Sequence, residues 1–225
     1  MMRRLRDALR ARDRDEGMTL VELIVAIGIF TLVLVVFMGG VVMMTRGTVR
    51  ADVTAASGDA VRLAFQRMER QVRYSESVNY PGTGASGRRY VEFRTGAAVS
   101  GTGQAMCTQW RWDPSTGDLQ SRTWRDVAGP TLPAWSTLIT DVQTDPDHTA
   151  REYPFEVLAA VAGDNQPRQR LVLRLRVGDA AVGAGAASES TFVARNSSVG
   201  SVSNADTDGN GQSDTQVCVA AVGRP

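Results

Sequence analysis

From Met18 to Met44 the chain runs through 27 residues with one charged side chain, Glu22. Wound as a helix at 1.5 Å per residue, such a run is about 40 Å long, enough to cross a hydrocarbon core of about 30 Å. Residues 1–17 before it are polar and Arg-rich, with Arg3, Arg4, Arg6, Arg10, Arg12 and Arg14 set against Asp7, Asp13, Asp15 and Glu16. A basic flank stays in the cytoplasm, so the chain is expected to cross once and place its remainder outside. The run exceeds the apolar core of a secretory signal peptide, and no small-residue cleavage site follows it. A plain signal anchor is the simplest reading, and Glu22 argues against it. A carboxylate costs about 2.5–3.5 kcal/mol at the centre of a membrane helix and less near its end, so its presence calls for a role.

Gly17-Met18-Thr19-Leu20-Val21-Glu22-Leu23 and the apolar helix behind it resemble the class III signal of type IV prepilins and pseudopilins. In that family a prepilin peptidase cuts after the glycine on the cytoplasmic side and methylates the new N-terminus. The resemblance implies cleavage between Gly17 and Met18 and N-methylation of Met18. The family usually starts its mature chain with Phe; here Met18, also large and apolar, holds that place. Glu22 lies one helical turn from Met18 on the same face. In a low dielectric its attraction to that amine, or to a neighbouring subunit's amine, is strong. By resemblance, this pairing sets the axial register of a growing filament. Gly39-Gly40 sits where major pilins often carry a helix-breaking proline. It reads equally as close helix packing in the membrane or as a segment that melts on assembly.

Beyond Met44 the helix is expected to continue. Val49, Val53, Ala56, Ala60/Val61, Ala64/Phe65, Met68 and Val72 recur at three- and four-residue spacing, and the arginines fall mostly off that stripe. The pattern fades near Tyr74, and Pro81-Gly82 closes it. The expected divisions are a polar leader over 1–17, a transmembrane helix over 18–44, its amphipathic continuation over 45–76, a β-rich head over 85–200 and a tail over 201–225. Strands are predicted over Tyr90–Arg94, Met106–Asp113, Leu119–Trp124, Leu138–Val142, Tyr153–Val161, Arg168–Val177 and Thr191–Arg195. Asp113 to Asp118 reads as a hairpin turn. Thr95–Gln104 and Gly178–Ser190 read as loops, and Asn196–Gly211 as mobile unless something ties it down. The fold class is α+β, a long helix packed on an antiparallel β-sheet head, which is the pilin architecture by resemblance. The stretch Leu63 to Arg73 is also similar to that of larger minor pilins and J-type or W-type pseudopilins.

All 25 basic residues are Arg, so every mechanism that needs a lysine is excluded, the P-loop and the Schiff base among them. With 24 acids and a net charge of +1, the chain lacks the basic field of a general nucleic-acid binder, and a nucleic-acid partner is not expected. The Arg face of Arg170, Arg174 and Arg176 reads as solvated or paired with acids across the sheet. The single His, His148, sits in a turn-like context. Gly82-x-Gly84-x-x-Gly87 matches a dinucleotide fingerprint in letters only, because a helix precedes it and a strand follows. Trp110 and Trp112 share one strand face and read as core.

Cys107 and Cys218 fall in the part expected outside, where thiols oxidise. They read as a disulfide tying the tail to the hairpin, worth at most about 4–5 kcal/mol by chain entropy, or else as two buried thiols. The run from Asp206 to Asp214 resembles a calcium loop of the EF-hand or dockerin type. Asp206, Asp208, Asn210, Gln212 (through its carbonyl) and Asp214 stand at its ligand positions, and Gly211 at its sharp turn. Val217 stands where the loop's bidentate Glu would be. A solvated Asx/Gly turn is the other reading.

The functional expectation is a minor pilin or pseudopilin, a non-enzymatic assembly subunit of a type IV pilus or type II secretion-like filament. Its partners by resemblance are the prepilin peptidase, other pilins or pseudopilins, the inner-membrane assembly platform and membrane lipid. No cofactor is required, with Ca²⁺ as the candidate ion. The alternatives are an uncleaved signal anchor displaying an extracytoplasmic ligand- or calcium-binding domain, and an anchored hydrolase, which would need a cleft with perturbed carboxylates.

Overall fold

The computed structural model describes residues 17–163, 165–220 and 222–225. The polar leader, except Gly17, lies outside the described residues. The chain forms two compact units, one up to Thr48 and one from Val49 onward. Helix α1, Leu20–Val72, begins in the first and ends in the second.

In the first unit every described side chain is exposed, Phe30 and Phe37 included. A helix that is apolar all round and long enough to cross a bilayer fits a membrane anchor. The hydroxyls of Thr31 and Thr45 donate to the carbonyls of Ile27 and Val41, at 2.8 and 2.9 Å, and so need no water. Gly39 and Gly40 are helical without interruption.

In the second unit α1 buries Ser57, Val61, Ala64, Met68 and Val72, which recur at three- and four-residue spacing. That stripe meets two antiparallel sheets. The larger has β1 (Ser75–Val78), β2 (Gly82–Thr83), β3 (Arg89–Thr95), β4 (Met106–Asp113), β5 (Asp118–Arg125) and β6 (Ser136–Ile139). Its order is β1-β3-β4-β5-β6, with β2 paired to β3. The smaller has β7 (Phe155–Leu158), β8 (Arg170–Asp179) and β9 (Ala184–Val193), in that order. Val91, Phe93, Trp110, Trp112 and Leu119 of the first sheet and Phe155, Leu171, Leu173, Leu175 and Phe192 of the second join the helix in one core. The indoles of Trp110 and Trp112 both find acceptors: Trp110 Nε1 donates to Gln71 Oε1 at 2.8 Å and Trp112 Nε1 to the Val142 carbonyl at 3.2 Å. Buried Gln169 links the sheets, accepting from the Val78 amide and donating to the Val78 carbonyl, both at 2.9 Å.

The fold is α+β, with an apolar N-terminal helix packed on antiparallel sheets. Several boundaries differ from the sequence reading. The helix stops at Val72 rather than 76, and the sheet begins at Ser75 rather than 85. Polar Ser75-Glu76-Ser77 forms a strand because Ser75 and Ser77 are buried and bonded there, Ser75 Oγ to the Val72 carbonyl and Ser77 Oγ to Ser203 Oγ. The stretch 178–190 is not a loop, since residues 184–190 pair along β8. The pairing brings Gly178 opposite Gly185, where a Cβ on either would lie within 3 Å of the facing backbone. A composition of Gly, Ala and Ser, which reads as loop, is what this close approach requires. The strand predicted at 138–142 lies earlier, at Ser136–Ile139, and the one at 153–161 shrinks to Phe155–Leu158.

The β4–β5 turn holds a charge. Asp113 accepts from the Ser115 amide and hydroxyl, at 3.0 and 2.6 Å, and from Arg88 Nε at 2.5 Å. Burial works to raise its pKa, but the Ser115 and Arg88 bonds outweigh it and hold the carboxyl at about 2, below the ordinary 3.8. A depressed folded-state pKa contributes stability that is full above the unfolded value and is lost as pH falls through the folded one. Arg88→Ala is therefore expected to lower thermal stability at neutral pH, the gap to the parent closing between about pH 4 and about pH 2. Melting curves of the full chain in detergent across that range check this; a gap independent of pH contradicts it.

Candidate functional site

The start of α1 is built by two residues. Gly17 and Met18 precede the helix and are exposed. Thr19 is the N-cap: its carbonyl accepts the first helical bond, from the Leu23 amide at 3.1 Å. Glu22 Oε2 accepts from both the Thr19 amide and the Thr19 hydroxyl at 3.0 Å, and the Glu22 amide donates to Thr19 Oγ1 at 3.2 Å. This is a reciprocal capping box, in which two amides without helical partners are satisfied by side chains. It gives Glu22 a local reason to stand in an apolar segment. A reading centred on charge and hydropathy passes over Thr19. The Thr-x-x-Glu signature ahead of an apolar run is the signal that finds it. Both Thr19 bonds use Oε2 of the carboxylate.

The second constellation lies in residues 196–225, which form neither helix nor strand among the described residues. The condition attached to Asn196–Gly211, mobile unless something ties it down, is met by ties, because the segment is strapped across β1 and β3. Ser203 Oγ donates to the Val78 carbonyl at 2.8 Å, Asn204 Oδ1 accepts from the Ala160 amide at 2.7 Å, and the Val217 amide donates to Asn79 Oδ1 at 2.8 Å. A disulfide joins Cys218 to Cys107 on β4, with Cα atoms 5.6 Å apart. At the end of the strap Arg224 Nη2 donates to Glu92 Oε2 at 2.6 Å. The Glu92 side chain is fully buried, so its charge depends on this guanidinium and on the amides of Asn79 and Gln109, each at 3.0 Å.

Within the strap, carboxylate oxygens of Asp206, Asp208 and Asp214 lie within 4.8 Å of one another. Gly209 and Gly211, with φ of 67° and 80°, turn the chain between them. Asp206 Oδ2 accepts from the Gly211 amide at 2.9 Å, and Asn210 Oδ1 accepts from the Gln212 amide at 2.7 Å. The Gln212 side-chain oxygen is turned to Gln216 Nε2 at 3.3 Å. Val217 is buried against the head, its amide on Asn79. Burial, and after it the Asp206 carboxylate, push the Tyr80 phenol above its ordinary range.

The remaining sequence features resolve into packing. Arg174 pairs with Glu156 at 2.6 Å and Glu189 at 2.9 Å, so the Arg face of β8 is neutralised at its centre. His148 Nδ1 lies 3.0 Å from Asp145 Oδ2. Gly82 belongs to β2, and Gly84 packs on the Arg224 carbonyl, where a Cβ would collide with it.

Residues 12–38 match the family model described as the prokaryotic N-terminal methylation motif. That motif at the head of a long apolar helix fits a type IV pilin or pseudopilin. No curated protein and no solved structure matches the chain.

Removing one partner of a buried ion pair leaves the other uncompensated, at a cost of about 3–5 kcal/mol. Arg224→Ala is expected to lose stability on that scale, and Arg224→Ala with Glu92→Gln to regain part of it. Denaturant unfolding of the full chain in detergent measures both; a double variant no better than the single one contradicts the pairing.

Proposed function

We propose that the protein is a minor pilin or pseudopilin, a structural and assembly subunit of a type IV pilus or type II secretion-like filament. The observation that carries this is the methylation motif at 12–38 leading directly into a helix whose apolar side chains are exposed all round. Such a helix is a surface made to be covered, first by lipid and then by the helices of neighbouring subunits. A prepilin peptidase cuts between Gly17 and Met18 and methylates Met18. The N-terminus starts in the cytoplasm and the head lies beyond the membrane, a setting consistent with the Cys107–Cys218 disulfide. The role is assembly rather than catalysis.

In this reading Glu22 has two tasks. Its Oε2 caps its own helix through Thr19. Its Oε1 meets the positive amine of Met18 from a neighbouring subunit, where a low dielectric strengthens the attraction. Substitution separates the two tasks, because Gln serves a capping box as Glu does but carries no charge. Both Glu22→Gln and Glu22→Ala are expected to be processed and inserted yet absent from sheared filaments. Filaments that accept Glu22→Gln and reject Glu22→Ala assign the residue to capping alone and overturn the amine pairing.

Processing itself is read by mass spectrometry of the N-terminal peptide from native membranes. A peptide beginning at methylated Met18 is expected. An intact leader in cells with an active prepilin peptidase returns the chain to an uncut anchor carrying a binding head.

A further inference from the structure

We propose that the loop Asp206–Asp214 binds one calcium ion and that the ion fixes the strap on the sheet. Three observations converge there. The first is the order of oxygen donors, Asp206, Asp208, Asn210, Gln212 and Asp214 at positions 1, 3, 5, 7 and 9 of a calcium loop, with Gly211 at position 6. The second is that the folded chain brings the three carboxylates within 4.8 Å of one another without an ion pair to any of them among the described residues. The neighbouring guanidinium of Arg151 donates instead to the Asn210 carbonyl, at 3.3 Å.

The third is Asp206 Oδ1. It is shut off from solvent and has no hydrogen-bond partner, while the other oxygen of the same carboxylate is taken by the Gly211 amide. A buried carboxylate oxygen without a donor costs on the order of 1–3 kcal/mol, and a cation removes that cost. Oδ1 is therefore the atom of Asp206 left to ligate.

The donor set is all oxygen and carries three negative charges, which suits a hard divalent cation. Calcium accepts six to eight oxygens in flexible geometry, whereas magnesium demands a tight octahedron and keeps its waters. Val217 in place of the bidentate Glu removes two oxygens, so water completes the shell and affinity falls to about 10⁻⁴–10⁻³ M, the range of extracellular modules. The loop is anchored on both sides, Ser213 Oγ accepting from the Tyr80 amide at 3.0 Å and Val217 held by Asn79. An ion at its centre thus orders the span between Ser203 and Val217. This inference is independent of prepilin processing, since it concerns residues 203–217 alone.

The test uses the full chain in detergent, stripped with chelator and titrated calorimetrically with calcium chloride or magnesium chloride. Expected are a one-site calcium isotherm with its midpoint near 10⁻⁴–10⁻³ M, a rise in melting temperature with calcium by mass action, and slower amide exchange over 203–217. Asp208 is exposed, so Asp208→Asn tests the site without disturbing the core; it is expected to weaken calcium binding at least about tenfold and to cancel the thermal shift. No heat and no thermal shift at about 10 mM calcium, an equal response to magnesium, or parent-like binding by Asp208→Asn each overturns the site. Binding without slower exchange over 203–217 overturns the fixing of the strap.

Discussion

Both sheets close on one stripe of one helix. Val61, Ala64, Met68 and Val72 are the residues of α1 in the shared core, and strands from sheets with different topologies reach them. The cost of this arrangement falls on the polar groups that must come along. Trp110 needs Gln71, Trp112 needs the Val142 carbonyl, and the seam between β1 and β8 needs Gln169. Packing alone would tolerate other apolar residues of similar volume. The hydrogen-bonded groups are what fix one arrangement of helix and sheets, because each would be left unsatisfied in another.

The same requirement operates at the first turn of α1 under harsher conditions. In the membrane setting proposed for this helix, an unpaired amide or carboxylate has no water to turn to. Thr19 and Glu22 answer this within four residues. The cap makes a charged residue tolerable in an apolar run, and it keeps that charge at a defined place on the helix. Local structure and proposed assembly thus draw on one carboxylate, which is why a sequence reading that weighs only one of them finds half of its role.

Much of this was legible in the sequence. The apolar run, the stripe from Val61 to Val72 and the alternation of Leu171, Leu173, Leu175 and Val177 follow from side-chain periods of 3.6 and 2. The turn at Asp113–Asp118 follows from its turn chemistry. The misses share a cause. Ser75–Val78 and Ala184–Ser190 have weak strand preference of their own and become strands because a neighbour supplies a ladder and buries them. The strap escaped for a related reason: its Ser and Asn residues look solvated until Val78, Asn79 and Ala160 are known to face them. The motif at the N-terminus, by contrast, is contained in one short segment and needs no tertiary context to be read.

The ties of the strap have a consequence for the order of events in folding. Ser77 to Ser203, Asn79 to Val217, Cys107 to Cys218 and Glu92 to Arg224 each join positions more than a hundred residues apart. Closing such loops costs chain entropy before any contact repays it, so local hairpins such as β4–β5 form sooner. The last of these ties also closes over a charge: Glu92, fully buried, is met by the guanidinium of the strap's penultimate residue, so the partner of a carboxylate on β3 is supplied by the part of the chain farthest from it in sequence.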